Sequence, residues 1–222
     1  MITQSFYACI LSIAVAGILQ SSIIAMHSLK KRVIGAVVFF VALTPVILNP
    51  LPGITTTFGL SFSYHPIAMA ITTILSIAIA MINWRSAGTK ENMAIYPQIR
   101  ERVWGIALTL KSAIAWTVYL TTYEIVFRGV FLYSAVALIG FWPAVLMNVA
   151  FYSLAHLLKN KREAVLSIPF GFITIYLTWI SDSCWYAVAL HIILALSHEW
   201  SSIRANPEMH FDFSPNSNKK QS

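Results

Sequence analysis

The sequence predicts an all-α fold, a polytopic transmembrane helical bundle with about seven spans. Of its 222 residues, 58% are hydrophobic and only 10% are charged, and the mean hydropathy is +0.71. An ordinary soluble domain carries about 25% charged residues. A chain this apolar cannot cover its own surface with polar side chains, so we expect lipid to surround it. The length allows one domain.

The charges predict how the chain lies in the membrane. Fifteen basic and eight acidic residues give a net charge of +7, and the basic excess falls in short clusters between apolar runs. One cluster is Lys30-Lys31-Arg32, and another contains Lys159, Lys161 and Arg162. This distribution is typical of the positive-inside bias, so we interpret it as a topology signal and expect no nucleic-acid partner. The sequence is that of a multi-pass protein, which we assign to the cell (inner) membrane.

Seven apolar segments approach the length of about twenty residues that a membrane-spanning helix needs. The sequence predicts helices over Ile2–Met26, Val33–Leu48, Pro66–Trp84, Trp104–Ile139, Pro143–Leu158, Ala164–Ile180 and Trp185–Ile203. The uncharged loop Asn49–His65 suits the outer side.

The fourth segment, Trp104–Ile139, is long enough to be ambiguous. As one helix it would extend about 54 Å, nearly twice the thickness of the hydrocarbon core. One crossing places every basic cluster on the same side of the membrane. Two crossings would give eight spans and move Lys159–Arg162 to the opposite side, so the charge rule favours one crossing.

The segments group into three regions. Residues 1–103 hold N-terminal transmembrane helices and a cytoplasmic loop, and residues 104–203 form a helical core that carries the intramembrane ionisable residues. Residues 204–222 form a polar tail that we expect to be disordered.

Ionisable side chains within the apolar segments are the candidate functional residues, because a charge in the bilayer core is costly and therefore indicates a function. Glu124 and Arg128 lie one helical turn apart in the fourth segment and can pair on one face. His156 lies in the fifth segment and His191 in the seventh. A carboxylate and two imidazoles on three inward-facing helices are suited to activating water.

Further polar residues continue these faces. Asn148 and Tyr152 precede His156 at successive i+4 positions, so the fifth segment presents one polar stripe on an apolar helix. Lipid cannot satisfy such a stripe, so it must face other helices or a water-filled cavity.

Three short motifs resemble those of the CPBP family, which contains the CAAX prenyl proteases and bacteriocin-processing proteins. Residues 123–129 read Y-E-I-V-F-R-G and resemble the family's E-E-x-x-F-R-G motif. Residues 152–156 read Y-S-L-A-H and resemble F-x-x-x-H. His191 resembles the histidine of H-x-x-x-N. The motifs occur in the family's order, and the resemblance covers about residues 104–200.

The resemblance implies an intramembrane glutamate-type endopeptidase that cleaves a membrane-associated peptide or protein. The family's water-activating glutamate and histidine would fall on Tyr123 and His156, and its oxyanion-hole residues on His191 and Ala195. A phenol with a reference pKa near 10 is not a base at neutral pH, and alanine donates no hydrogen bond. We therefore expect Glu124 to take over as base, with Tyr123 only shaping the site.

The same region also resembles a branch of the family that has a single glutamate before F-R-G. In that branch the histidine of the second motif is followed by K-x-x-x-E, and Lys159 and Glu163 have this spacing. The resemblance therefore implies a supporting role for Glu163.

Two other classes of function stay open on the sequence. A family member that no longer cleaves could bind and regulate a partner membrane protein, which the departures at Tyr123 and Ala195 would favour. A proton-coupled transporter or channel could also use Glu, Arg and His, although no internal repeat is visible. We expect no cofactor. Zinc held by the two histidines and the glutamate is a minor alternative.

Overall fold

The structure is a computed structural model and describes residues 2–21, 29–48, 57–157 and 160–214. Within these ranges the helices are α1 (Ile2–Ser21), α2 (Leu29–Ala42), α3 (Thr44–Leu48), α4 (Pro66–Ser86), α5 (Lys90–Ile95), α6 (Ile106–Glu124), α7 (Leu132–Ile139), α8 (Phe141–Leu157), α9 (Lys161–Ser181) and α10 (Trp185–Ala205). A π-helical segment, Ile125–Phe131, joins α6 to α7, and two short strands, β1 (Val103–Trp104) and β2 (His210–Phe211), pair in parallel. The predicted all-α bundle is confirmed.

Three helical stretches in the described part of the chain are long and apolar enough to cross a membrane: Pro66–Ser86, Ile106–Ile139 and Lys161–Ser181. Three further helices are apolar but shorter, namely Ile2–Val15, Arg32–Ala42 and Phe141–Leu157. The count of about seven spans stays a prediction. The predicted ends at Met26 and Leu158, and residues 49–56 of the outer loop, lie outside the described residues.

The outward faces of these helices are apolar, as a lipid-facing surface requires. Ile74 on α4, Leu146 on α8 and Val165 on α9 are each at least 60% exposed. A water-soluble monomer rarely leaves so much contiguous apolar surface uncovered. The chain is accordingly an integral membrane protein.

The fourth predicted segment forms one continuous helical stretch, but it begins at Ile106 and not at Trp104. Trp104 lies in β1, and Gly105 caps the helix with an extended backbone, φ −70° and ψ 167°. The strand forms because the amide of Asp212 donates a hydrogen bond to the Trp104 carbonyl. No turn interrupts residues 106–139, where a second crossing would need one.

The expectation of a disordered tail is wrong for residues 204–214. α10 continues to Ala205, and the chain then turns so that the amide of His210 donates to the carbonyl of Arg102. Met209 and Phe211 pack against the buried cluster of Ile99, Trp104 and Ile203. This short apolar patch in a polar stretch fixes the segment against the bundle. Residues 215–222 lie outside the described residues.

The core that positions the site is an aromatic cluster where α6 and the π-helical segment meet α1, α2 and α8. It contains Phe39, Tyr123, Phe127, Phe131 and Tyr152, all at most 2% exposed. On the other side α10 packs between α4 and α6, and α9 packs along α8. The π-helical segment therefore lies at the centre of the bundle.

Gly129 in that segment contacts the loop before α4 so closely that a larger residue does not fit. A Cβ atom there would lie 2.9 Å from Leu60 Cδ2 and 3.1 Å from the Phe58 carbonyl oxygen. We expect Gly129→Ala to destabilise the protein by about 1–3 kcal/mol through overpacking, measured as a lower melting temperature in detergent. Gly88→Ala is the matched control, since its Cβ would meet its nearest neighbour at 4.0 Å. Equal melting temperatures for the two variants would contradict this packing.

Cysteine labelling tests the topology. We expect cysteines introduced at Lys30 and Lys161 to react with an impermeant maleimide from the same side of the membrane, and one at Tyr64 from the opposite side, because the basic clusters share one side. The native background is low, since Cys9 and Cys184 are both buried. Burial also raises the pKa of the Cys184 thiol to about 12, so little thiolate forms at neutral pH. Labelling of positions 30 and 161 from opposite sides would refute the single crossing of residues 106–139.

Candidate active site

Glu124 is the last residue of α6 and is fully buried. Its Oε1 lies 2.5 Å from His191 Nδ1, and its Oε2 lies 3.4 Å from Arg128 Nε. A buried carboxylate is tolerated only when it is paired and hydrogen-bonded. The predicted Glu124–Arg128 pair therefore forms, and the structure adds His191 as the second partner of the carboxylate.

Arg128 lies in the π-helical segment and ties it to α8 and α9. Its Nε donates to Thr174 Oγ1 at 2.8 Å, and its Nη1 donates to the side-chain oxygen of Asn148. The Asn148 amide in turn donates to the Phe127 carbonyl at 2.6 Å. The predicted inward face of α8 thus holds Asn148 where it fixes the guanidinium. π-helical turns are often found at functional sites.

The two histidines lie next to each other at the inner end of this network. Their ring centroids are 6.5 Å apart, with an interplanar angle of 28°. His156 Nδ1 lies 2.8 Å from the Tyr152 carbonyl oxygen, which can only accept. His191 Nδ1 faces the Glu124 carboxylate, which also accepts. Each neutral ring therefore carries its proton on Nδ1, and Nε2 is the basic nitrogen of both histidines.

Aromatic rings enclose the histidines. Tyr123 is 2% exposed, and its ring stands edge-on to those of His191 and Tyr152, each at 5.7 Å. Tyr152 stacks beneath the Arg128 guanidinium at 4.3 Å, and Phe170 lies 5.4 Å from His191. These rings exclude water and lower the effective dielectric around the polar groups, which strengthens the interactions of Glu124.

Tyr123 contacts the rings of His191 and Tyr152, but it does not take the place of Glu124 as the hydrogen-bond partner of His191. Its hydroxyl has no hydrogen-bond partner among the residues that the structure describes. Ala195, one turn after His191, packs against the aromatic core and offers no donor. The carboxylate that meets the histidine is therefore that of Glu124, the second residue of the motif.

Glu163 lies away from the Glu124–His191 contact, in the first turn of α9. Its carboxylate accepts a hydrogen bond of 2.7 Å from the Tyr96 hydroxyl, and its backbone amide donates one to the side-chain oxygen of Asn160. Burial and the Glu163 carboxylate raise the pKa of Tyr96 well above its usual range, so this hydroxyl stays a donor at neutral pH. Lys159, the other residue of the K-x-x-x-E spacing, lies outside the described residues.

A second buried polar cluster was not predicted from the sequence. Arg32 and Glu199, both at most 2% exposed, form an ion pair of 3.5 Å between α2 and α10. Glu199 also accepts hydrogen bonds from Ser112 at 2.7 Å and from the Trp116 indole of α6. Arg32, the last residue of the basic cluster Lys30-Lys31-Arg32, is therefore buried in the bundle. The sequence feature that could have indicated this cluster is Glu199, an acidic residue eight positions after His191 on the same helix face.

The described residues contain no group of three or more His, Cys, Asp or Glu side chains arranged to hold a metal ion. The Nδ1 atoms of His156 and His191 already face a carbonyl and a carboxylate, and the Glu124 carboxylate faces His191 and Arg128. Among the described residues, His156, His191 and Glu124 are therefore not arranged as a zinc ligand set.

One family model matches part of the chain. Residues 105–197 match the family model described as type II CAAX prenyl endopeptidase Rce1-like. This segment is therefore similar to the Rce1-like family. The matched segment contains Glu124, Arg128, His156 and His191, in agreement with the resemblance seen in the motifs. Arg32 and Glu199 lie outside it. Searches of curated proteins and of solved structures found no match for the chain.

The Rce1-like family is one of membrane endopeptidases.

Proposed function

We propose that this chain is an active intramembrane endopeptidase of the cell membrane, which hydrolyses a membrane-associated peptide with water activated by Glu124 and His191. The observation that supports it most is the 2.5 Å contact between the buried Glu124 carboxylate and His191 Nδ1. A carboxylate bound to Nδ1 holds the imidazole in one tautomer and stabilises the imidazolium that forms when Nε2 takes a proton. No cofactor is part of the proposal.

The first step is attack by water. His191 Nε2 removes a proton as the water oxygen bonds to the carbonyl carbon of the peptide. The positive charge that forms on His191 is stabilised by Glu124, which faces it in a surrounding of low dielectric. Arg128 holds the carboxylate in place and is itself fixed by its contacts to Thr174 and Asn148.

The second step is departure of the amine. The tetrahedral intermediate collapses, the bond between carbonyl carbon and nitrogen breaks, and the amine nitrogen needs a proton. The His191 imidazolium supplies it from Nε2 and becomes neutral again, and His156, whose ring lies 6.5 Å from that of His191, can accept a hydrogen bond from the new amine at its own Nε2. The products are a new carboxylate and a new amine, which balances the one water consumed.

The departures at Tyr123 and Ala195 also support a second candidate, a member of the family that binds a partner membrane protein without cleaving it. The two candidates differ in what Glu124 does. In the binding protein, Glu124 serves only to hold α6, the π-helical segment and α10 together, and its charge has no chemical task.

Purified protein in proteoliposomes tests the proposal. The probes are a farnesylated CAAX peptide and a library of unmodified transmembrane peptides, each with an internally quenched fluorophore, and mass spectrometry locates the new termini. We expect cleavage of at least one probe that a His191→Gln variant of normal melting temperature loses. Absence of cleavage by the wild-type protein across both probe sets would support the binding candidate.

A further inference from the structure

Phe170 on α9 lies between the candidate active site and a second apolar cluster. Its ring centroid is 5.4 Å from that of His191, and it stacks against Tyr152 at 6.3 Å with an interplanar angle of 16°. Phe170 also packs against a buried cluster where α4, α9 and α10 meet, which we call the three-helix cluster and which consists of Ala68, Leu177, Tyr186 and Leu190. The side chain of Phe170 therefore connects the histidines to the three-helix cluster.

Side chains that are only partly buried line the three-helix cluster. They include Ile71 and Leu75 of α4 and Ile173 of α9, and Phe170 is itself half-buried. Ile74 of α4 is 66% exposed, as a lipid-facing residue is. α4 packs along α10 but only lightly against α9, and elements with few buried contacts separate more readily. The line where α4 meets α9 is therefore an apolar approach from the bilayer to Phe170.

The backbone of Phe170 belongs to the polar network of the site, but its ring does not. The Phe170 carbonyl accepts a hydrogen bond of 3.0 Å from Thr174 Oγ1, which in turn accepts one from Arg128 Nε at 2.8 Å. The ring makes only van der Waals and aromatic contacts. The ring can therefore turn aside, or be replaced, without breaking a hydrogen bond around Glu124.

The distance between Phe170 and His191 determines which part of a substrate Phe170 touches. In the proposed reaction the water held by His191 approaches the carbonyl carbon to about 3–3.5 Å. A ring 5.4 Å from the imidazole is then within reach of the side chains on either side of the cleaved bond. A charged side chain placed against Phe170 and the three-helix cluster would lose its hydration without gaining a partner, so an apolar side chain fits best.

We propose that Phe170 is a specificity-determining residue, against whose ring packs an apolar substrate side chain next to the scissile bond. The inference rests on the proposed function and adds to it the chemistry of the substrate, a membrane-embedded peptide with an aliphatic or aromatic residue at the cleaved bond. The Phe170 ring limits the size of that side chain, because both occupy the space beside the three-helix cluster.

Kinetics with matched peptides test this role. The probes are internally quenched transmembrane peptides that carry alanine or phenylalanine either immediately before or immediately after the bond that the wild-type protein cleaves. Phe170→Ala frees the space of the ring, so in one of the two series the ratio of kcat/KM for the phenylalanine peptide to that for the alanine peptide should rise. The expected rise is about 10- to 200-fold, the range over which apolar pockets discriminate side chains, and it should lie mainly in KM.

Phe170→Leu and Phe172→Ala complete the comparison. Phe170→Leu keeps more of the side-chain volume and should shift the ratio in the same direction by a smaller factor, which provides the test if Phe170→Ala does not fold. Phe172 lies two positions further on the same helix and is 40% exposed, so Phe172→Ala should keep the wild-type ratio. An unchanged ratio in both series for folded Phe170 variants, or an equal shift in Phe172→Ala, would overturn the role of Phe170.

Photocrosslinking without cleavage separates this inference from the proposed function. A benzophenone-bearing phenylalanine is introduced at position 170 or 172 of a Glu124→Gln variant, and the library of transmembrane peptides is added in proteoliposomes. We expect peptide adducts from position 170 that excess peptide suppresses, and only lipid adducts from position 172. Absence of peptide adducts at position 170 would overturn the contact even if the wild-type protein cleaves. Adducts there without any cleavage by the wild-type protein would support the contact and contradict the proposed function.

Discussion

Replacing Glu124 with glutamine is expected to lower the rate of peptide cleavage by about 10²–10⁴-fold while the protein still folds. The amide keeps the shape of the side chain and can still contact His191, but it cannot stabilise an imidazolium. Removing the partner of a catalytic histidine or its general base has an effect of this size. The measurement is kcat in proteoliposomes, with the melting temperature determined for the same preparation.

Tyr123→Phe is the matched control for Glu124→Gln, because the residues are neighbours and both are buried. Tyr123 contacts the histidines only through its ring, so loss of its hydroxyl should reduce kcat far less. If Glu124→Gln cleaved at the wild-type rate, Glu124 would have no chemical task. A Tyr123→Phe variant as slow as Glu124→Gln would place the chemistry on the phenol instead.

Replacing Arg128 with alanine is expected to damage folding as well as activity. The change leaves the Glu124 carboxylate without its cation and breaks the contacts to Asn148 and Thr174. Removing one partner of a buried ion pair typically costs about 3–5 kcal/mol. The free energy of unfolding in detergent, or the melting temperature, measures the loss.

Arg204→Ala is the control for Arg128→Ala, because it removes an arginine that is not buried. Arg204 lies at the exposed end of α10, with its guanidinium 3.5 Å from the centre of the Trp84 ring. An exposed cation–π contact is worth about 0.5–1 kcal/mol, so this variant should unfold near the wild-type temperature. An Arg128→Ala variant as stable as Arg204→Ala would mean that the network around Glu124 does not hold the bundle together.

The sequence was sufficient for the parts of the site that follow from helical periodicity. Glu124 and Arg128 at i,i+4, and Asn148, Tyr152 and His156 at successive i+4 positions, predicted inward polar faces on two helices. The structure brings these faces together around Arg128, because its guanidinium bonds to Asn148 and stacks on Tyr152. Helical periodicity does not predict which side chain on another helix each polar group contacts. The contact between Glu124 and His191 is an example.

Arg32 shows why other features were missed. In the sequence it is the last of three consecutive basic residues, and local charge patterning does not distinguish a lipid-interface lysine from a buried arginine. Arg32 is buried because the fold brings Glu199 beside α2, although Glu199 is 167 positions after Arg32 in the chain. The strand Val103–Trp104 was missed for the same reason, since its partner His210–Phe211 lies beyond the last helix.

Hydrolysis in water enriched in heavy oxygen tests the central claim most directly. If Glu124 and His191 activate water, one heavy oxygen atom must enter the new carboxylate of the N-terminal product from the wild-type protein. Glu124→Gln, folded to the same extent, should form that labelled product about 10²–10⁴-fold more slowly. A product without the label, or a labelled product formed equally fast by Glu124→Gln, would contradict the account.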